Sequence, residues 1–168
     1  MIRVFAAATK EKAYLDSLEK VLLENVHPQA DDISYTCLLI PCLPSYQLKD
    51  DLAERLPEWV QEICASSKWS VEFITVNVDY FQWGLRVSPS TQTSQFMQMI
   101  RETTSKLILA AFESIRNESS VSDFWAPGYL VVSGTRPYAN EMIEQYIRMS
   151  RRQQEFIPPD LRGRRVRR

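Results

Sequence analysis

The sequence predicts an α+β domain, a ferredoxin-like or RRM-like antiparallel sheet with helices packed on one face and a C-terminal helix after the last strand. Three observations point there. From Ile33 onward the hydrophobic periodicity switches in the order strand–helix–strand–strand–helix–strand–helix. The first of these strands, ISYTCLLI, is a nearly continuous apolar run, the pattern of a strand covered on both faces. A chain of 168 residues, 45% hydrophobic and with four glycines, holds enough apolar mass for one core and little flexible linker.

The elements follow in order. Residues 1–32 form an N-terminal extension: Met1–Ala7 has the composition of a short strand, and Glu11–Glu24 spaces Tyr14, Leu15, Leu18, Val21 and Leu22 along one helical face. His27 and Pro28 end that helix. Ile33–Ile40 is the first strand of the main domain, closed by Pro41 and Pro44. Asp50 or Asp51 is expected to cap a helix whose Leu52, Leu56, Trp59, Val60 and Ile63 form one stripe. Pro57 within it predicts a kink or a start one turn later.

Trp69–Asp79 is rich in β-branched and aromatic residues and reads as a strand, with Trp83–Ser88 its partner across a hairpin around Asp79–Gln82. After Pro89, Thr93 or Ser94 is expected to cap a long helix to about Arg116. Phe96, Met99, Ile100, Leu107, Ala110, Ala111 and Ile115 are its expected inward side chains. The polar loop NESSVSD and the segment FWAPG lead to a strand at Tyr129–Ser133. A last helix runs from Tyr138 or Ala139 to Gln154. The main domain is therefore residues 33–154, and residues 155–168 are a basic tail.

Composition excludes several classes of site. The single histidine, His27, rules out a His-x-His metal pair or an HExxH zinc site; beside Pro28 it is expected to end a helix. Cys37, Cys42 and Cys64 are an odd, widely spaced set that suits buried free thiols in a reducing compartment. No apolar run approaches membrane-spanning length, and Met1–Thr9 lacks a signal-peptide pattern, so the expected location is the cytoplasm, with no membrane partner. The net charge of −1 is unevenly placed. The last eight residues, LRGRRVRR, hold five arginines, leaving residues 1–160 with 15 basic against 21 acidic side chains. A basic tail on an acidic body fits a local, salt-sensitive contact with phosphate as well as a solvated terminus.

With FWAPGY (Phe124–Tyr129) before the last strand and EQYIRMS on the last helix, the chain resembles the single-tyrosine HUH transposases, the insertion-sequence enzymes and their REP-associated relatives. The resemblance covers roughly Ile33–Gln154. The family has a strand ending in Asp-His-x-His, a second strand, prolines, and a Ser-rich start to a long helix; here the stretch reads DYFQWGLRVSPSTQTSQF, Asp79–Phe96. The resemblance places Tyr146 at the nucleophile position. It places Tyr80 and Gln82 at the two histidine positions and Ser150 at the helical metal-ligand position, with Asp79 retained. Family members use Mg2+ or Mn2+ to polarise a scissile phosphate that the tyrosine attacks, forming a 5′-phosphotyrosine. With a phenol, an amide and a hydroxyl in place of the ligands, the expectation is no metal and no metal-dependent cleavage.

Each singled-out residue also has a packing explanation. Met142, Ile143, Tyr146 and Ile147 share a helix face, and Tyr80 and Gln82 follow strand period two. Phe81, Trp83 and Trp125 fit stacking on unpaired bases as well as a core. Arg101 stands where family members carry a basic residue beside a hairpin-binding surface, and it joins Arg162, Arg164, Arg165, Arg167 and Arg168 as a candidate nucleic-acid contact.

The leading functional expectation is a domesticated, catalytically inactive transposase that binds single-stranded or hairpin DNA, or structured RNA. By resemblance it is a homodimer whose sheets join at a strand edge, an arrangement that would also account for the apolar strand from Ile33. The alternatives are a protein-interaction module that retains only the fold and dimer, and an active tyrosine transposase with a rearranged site.

Overall fold

The structure is a computed structural model that describes residues 31–118 and 122–155. The elements are β1 (Ile33–Leu39), α1 (Asp50–Ser66), β2 (Ser70–Val76), β3 (Phe81–Val87), α2 (Thr93–Ala111), α3 (Glu113–Glu118), β4 (Leu130–Ser133) and α4 (Asn140–Glu155). The predicted N-terminal strand and helix, His27 and the five tail arginines lie outside the described residues.

The four strands form one antiparallel sheet in the order β2-β3-β1-β4, the ferredoxin-like arrangement that the element order predicts. β1 is an inner strand, paired with β3 from Ile33–Val87 to Leu39–Phe81 and with β4 from Tyr35–Ser133 to Leu38–Leu130. Its apolar run is thus explained by cover within the domain, which corrects the expectation that a dimer-forming edge accounts for it. Cys37 and Leu39 face one core, Leu38 and Ile40 the other, and all four are buried.

On the first face the sheet packs against α1 and α2. Leu52, Leu56, Val60 and Cys64 recur every fourth residue along α1, and Phe96, Met97, Ile100 and Ile108 do the same work on α2. They meet Trp83, Leu85 and Val87 from β3. Met99, Ala110 and Ala111 are exposed, contrary to the predicted inward set, and Thr104 and Ser105 are buried in their stead because each hydroxyl has a partner.

The other side of the sheet carries a smaller core: Leu38, Ile40, Ala126, Tyr138 and Ile143, flanked by Tyr80, Leu130, Tyr146 and Ile147. This core is what α4 covers, so the two crossover helices share one face and the C-terminal helix takes the other.

Local chemistry moves several boundaries. Lys49, extended at φ −141°, is the N-cap of α1 and makes no side-chain cap bond, while Asp50 and Asp51 fall in the first turn, where their charge complements the helix dipole. The helix runs on through Pro57, which is only partly buried. Gln92, not Thr93 or Ser94, is the N-cap of α2. The predicted single helix to Arg116 breaks at Phe112, whose φ of −116° and ψ of 87° turn its ring toward the core and under the Arg55 guanidinium, 5.9 Å away. The β2–β3 hairpin turns over Asn77–Tyr80 rather than Asp79–Gln82. Asn77 N–H bonds the Tyr80 carbonyl at 2.9 Å, and its side chain accepts the Asp79 N–H. Gln82 is therefore a strand residue.

Candidate functional site

The segment FWAPG extends the sheet past the end of β1. Pro41 and Trp125 form an antiparallel bridge, Cys42 N–H bonds the Phe124 carbonyl and Ala126 N–H bonds the Ile40 carbonyl, both at 2.8 Å. Phe124 and Trp125 are core residues. Phe124 stacks on Tyr46 with ring centroids 5.4 Å apart, and the Trp125 indole N–H donates to the Thr104 hydroxyl at 2.9 Å. Phe81 and Trp83 stack on each other at 4.8 Å and are fully buried. Phe81, Trp83 and Trp125 therefore hold the interior together and have no face to offer a base, which removes the base-stacking expectation for them.

Arg101, on α2, clamps this segment. Its Nε and Nη2 donate to one carboxylate oxygen of Asp123 at 3.2 and 3.0 Å, Nη2 also to the Trp125 carbonyl, and Nη1 to the Gly128 carbonyl at 3.3 Å. Its side chain is 18% exposed. Gly128 needs its φ of +81° to turn the chain here, and a Cβ on it would lie 3.8 Å from the Tyr146 hydroxyl oxygen. Arg101 and Tyr146 thus meet the same residue from α2 and α4.

Tyr80, just before β3, and Gln82 on it reach the small core that α4 covers. Tyr80 and Tyr146 flank the same small core. Gln82 is buried, and its side-chain carbonyl accepts the Tyr138 backbone N–H at 2.7 Å. Tyr138 in turn donates its hydroxyl to the Thr36 carbonyl, and the Thr36 hydroxyl donates to the carbonyls of Gly134 and Arg136. Ser150, one turn beyond Tyr146, is buried. Arg151 and Gln154 both donate to the Cys42 carbonyl, at 2.9 and 3.0 Å, fastening the end of α4 to the loop after β1. Asp123, Tyr138 and Arg151 were not legible as site neighbours in the sequence, since each acts through a partner at least 22 residues away.

The electrostatics disfavour an ionised phenol. Burial raises the Tyr146 pKa above that of an ordinary tyrosine, and the Arg101 guanidinium opposes the rise only in part. Burial also lowers the pKa of Arg151, against the pull of the Cys42 thiol and of Asp79.

The donor set does not fit a divalent metal. Mg2+ and Mn2+ take charged or carbonyl oxygens and imidazoles. Here the Gln82 oxygen is held by Tyr138, Tyr80 is part of an apolar cluster and Ser150 is buried as a neutral hydroxyl. Among the described residues no three His, Cys, Asp or Glu side chains gather to hold an ion. No described helix is long and apolar enough to cross a membrane.

A family model described as IS200-like transposase matches residues 29–150. No curated protein matches the chain. A crystal structure of a protein from Deinococcus radiodurans R1 assigned as a transposase superposes with a TM-score of 0.63 at 18% identity, covering 71% of this chain and 91% of that one. A REP-associated tyrosine transposase bound to a REP hairpin superposes with a TM-score of 0.47 at 9% identity, covering 74% of this chain and 70% of that one.

Proposed function

The chain belongs to the IS200-like transposase family, and from that premise we propose that it binds nucleic acid, single-stranded or hairpin DNA or structured RNA, without cleaving it. The observation that carries the second half is the Gln82–Tyr138 bond. At the position where the resemblance expects a metal-binding histidine, the side chain is consumed in holding the entry to α4. Tyr80 and Ser150, at the other two ligand positions, are neutral groups committed to packing. The half-buried Tyr146 stands at the nucleophile's position by the resemblance, and burial raises its pKa, the direction that makes the phenol harder to activate. Binding falls to the fold and to the cations Arg162, Arg164, Arg165, Arg167 and Arg168 of the tail, whose phosphate contacts release counterions and weaken with salt. The working species is a cytoplasmic homodimer. Arg101, with its donors spent on Asp123 and two carbonyls, supports the segment beside Tyr146 in this reading.

A specific feature favours a second reading, a protein-interaction module: residues 1–160 carry an excess of acidic side chains, 21 against 15 basic. One experiment separates these. The purified chain is incubated with labelled hairpin oligonucleotides, with and without Mn2+, and resolved on native and denaturing gels. A salt-sensitive native shift with no covalent band is the expected result. A covalent band lost in Tyr146→Phe restores the active transposase, and no shift at low salt moves the assignment to the protein-interaction module.

A further inference from the structure

The bulge in β2 sends two successive side chains, Glu72 and Phe73, to the same side of the sheet, the side opposite α1 and α2. Val71, Ile74 and Val76 pack on the helix side. Phe73 lies across Gly84 so closely that a Cβ there would stand 2.4 and 2.5 Å from its ring carbons. The missing side chain leaves room for that edge of the ring against the sheet. Phe73 is partly exposed, and among the described residues it belongs to neither core cluster and to no ring pair.

Its surroundings are polar and of both kinds. The Glu72 carboxylate accepts from Ser34 at 3.0 Å and pairs with Arg86 at 2.7 Å, while Arg86 Nε donates to Ser34 at 3.2 Å. The loop Gly134–Tyr138 is pinned beside this row through Thr36 and carries the exposed Arg136.

We propose that Phe73 is the stacking platform for one unpaired nucleobase, with the Ser34–Glu72–Arg86 group meeting the base edge and Arg136 the flanking phosphate. The inference rests on the reading that the chain binds nucleic acid and names the surface that reads its unpaired part. A partly exposed phenyl ring whose edge lies over a glycine offers aromatic surface of the kind every base can stack on. A carboxylate acceptor and guanidinium donors beside it match the mixed edge of a base, and an exposed cation on the rim matches its phosphate.

The test measures binding of full-length protein to two labelled hairpins of identical stem by fluorescence anisotropy. One is blunt and the other has an unpaired flank of about six nucleotides. The wild type is expected to prefer the flanked hairpin. Phe73→Leu, which keeps apolar cover over Gly84, is expected to bind the flanked hairpin roughly fivefold to a hundredfold more weakly and the blunt one equally well. Phe73→Trp is expected to retain the preference and to show indole quenching by the flanked hairpin alone. A wild type that binds both hairpins equally overturns the platform and leaves the nucleic-acid reading standing; one that binds neither overturns both. A Phe73→Leu protein with unchanged preference, whether or not its melting temperature falls, shows a packing residue covered by the chain itself and overturns the platform. Should Phe73→Leu fail to fold, Phe73→Trp decides, and unquenched emission overturns the proposal.

Discussion

The Gln82 side chain accepts the backbone N–H of Tyr138 at 2.7 Å, joining the start of β3 to the residue that leads into α4. Both residues are buried, so the bond has no water to replace it. Gln82→Ala leaves that N–H unsatisfied and is expected to cost about 1–3 kcal/mol in urea unfolding. Measured at acid pH, where the buried carboxyl is protonated and keeps an acceptor oxygen in place, Gln82→Glu is expected to lose less than the alanine variant. Equal losses would show that the amide oxygen does not hold the turn.

At Gly84 a side chain would have to displace the Phe73 ring. Gly84→Ala drives a methyl into the Phe73 ring, and overpacking of this kind costs about 1–3 kcal/mol. Combining it with Phe73→Leu should recover part of the loss, giving a coupling measurable in a double-mutant cycle of urea midpoints. Additive effects would mean that the two residues do not touch.

The three thiols make stability sensitive to alkali. Burial pushes Cys64 up to about 12 and Cys42 to about 11, with Asp123 adding to the latter, and burial lifts Cys37 well above the usual thiol range, helped by Cys64. An unfolded thiol ionises near pH 8.5. Below that pH both states are protonated and the full stability is present. Above it the unfolded chain releases protons that the folded chain keeps, so stability falls as pH rises toward the folded values, each thiol contributing roughly 1.4 kcal/mol per pH unit. Melting temperatures should therefore drop between about pH 9 and 12. Cys64→Ala should flatten the drop, and native protein at pH 8 should react with a thiol reagent only when urea is added.

Much of this was visible in the sequence because strands and helices advertise their periods. ISYTCLLI demanded cover on both faces and has it, from α1 and α2 on one side and α4 on the other. Element order pointed to the antiparallel ferredoxin-like layout, but only the structure puts β1 inside the sheet, between β3 and β4. What stayed hidden depends on contacts between distant residues. Phe112 breaks the long helix because its ring finds the core, and nothing in ETTSKLILAAFESIR signals that. The resemblance puts Gln82 at a ligand position, yet its partner, Tyr138, is 56 residues away. Phe73 looked like one more aromatic in a hydrophobic strand; only the bulge at Glu72 sets it on the other face.

Arg101 acts on the fold and on Tyr146 at once. Its four hydrogen bonds tie α2 to Asp123, Trp125 and Gly128, and its charge opposes the burial that raises the Tyr146 pKa. The two roles separate with two substitutions. Arg101→Lys keeps the charge but loses the planar fork, so it should destabilise the chain by about 1 kcal/mol, a modest figure because the Asp123 side chain is 39% exposed. Arg101→Met removes both, so the Tyr146 phenol should ionise at higher pH than in Arg101→Lys. Spectrophotometric titration resolves that phenol as the difference between each protein and its Tyr146→Phe counterpart. Identical titrations of the lysine and methionine variants would show that the guanidinium serves the FWAPG segment alone and has no electrostatic hold on the tyrosine.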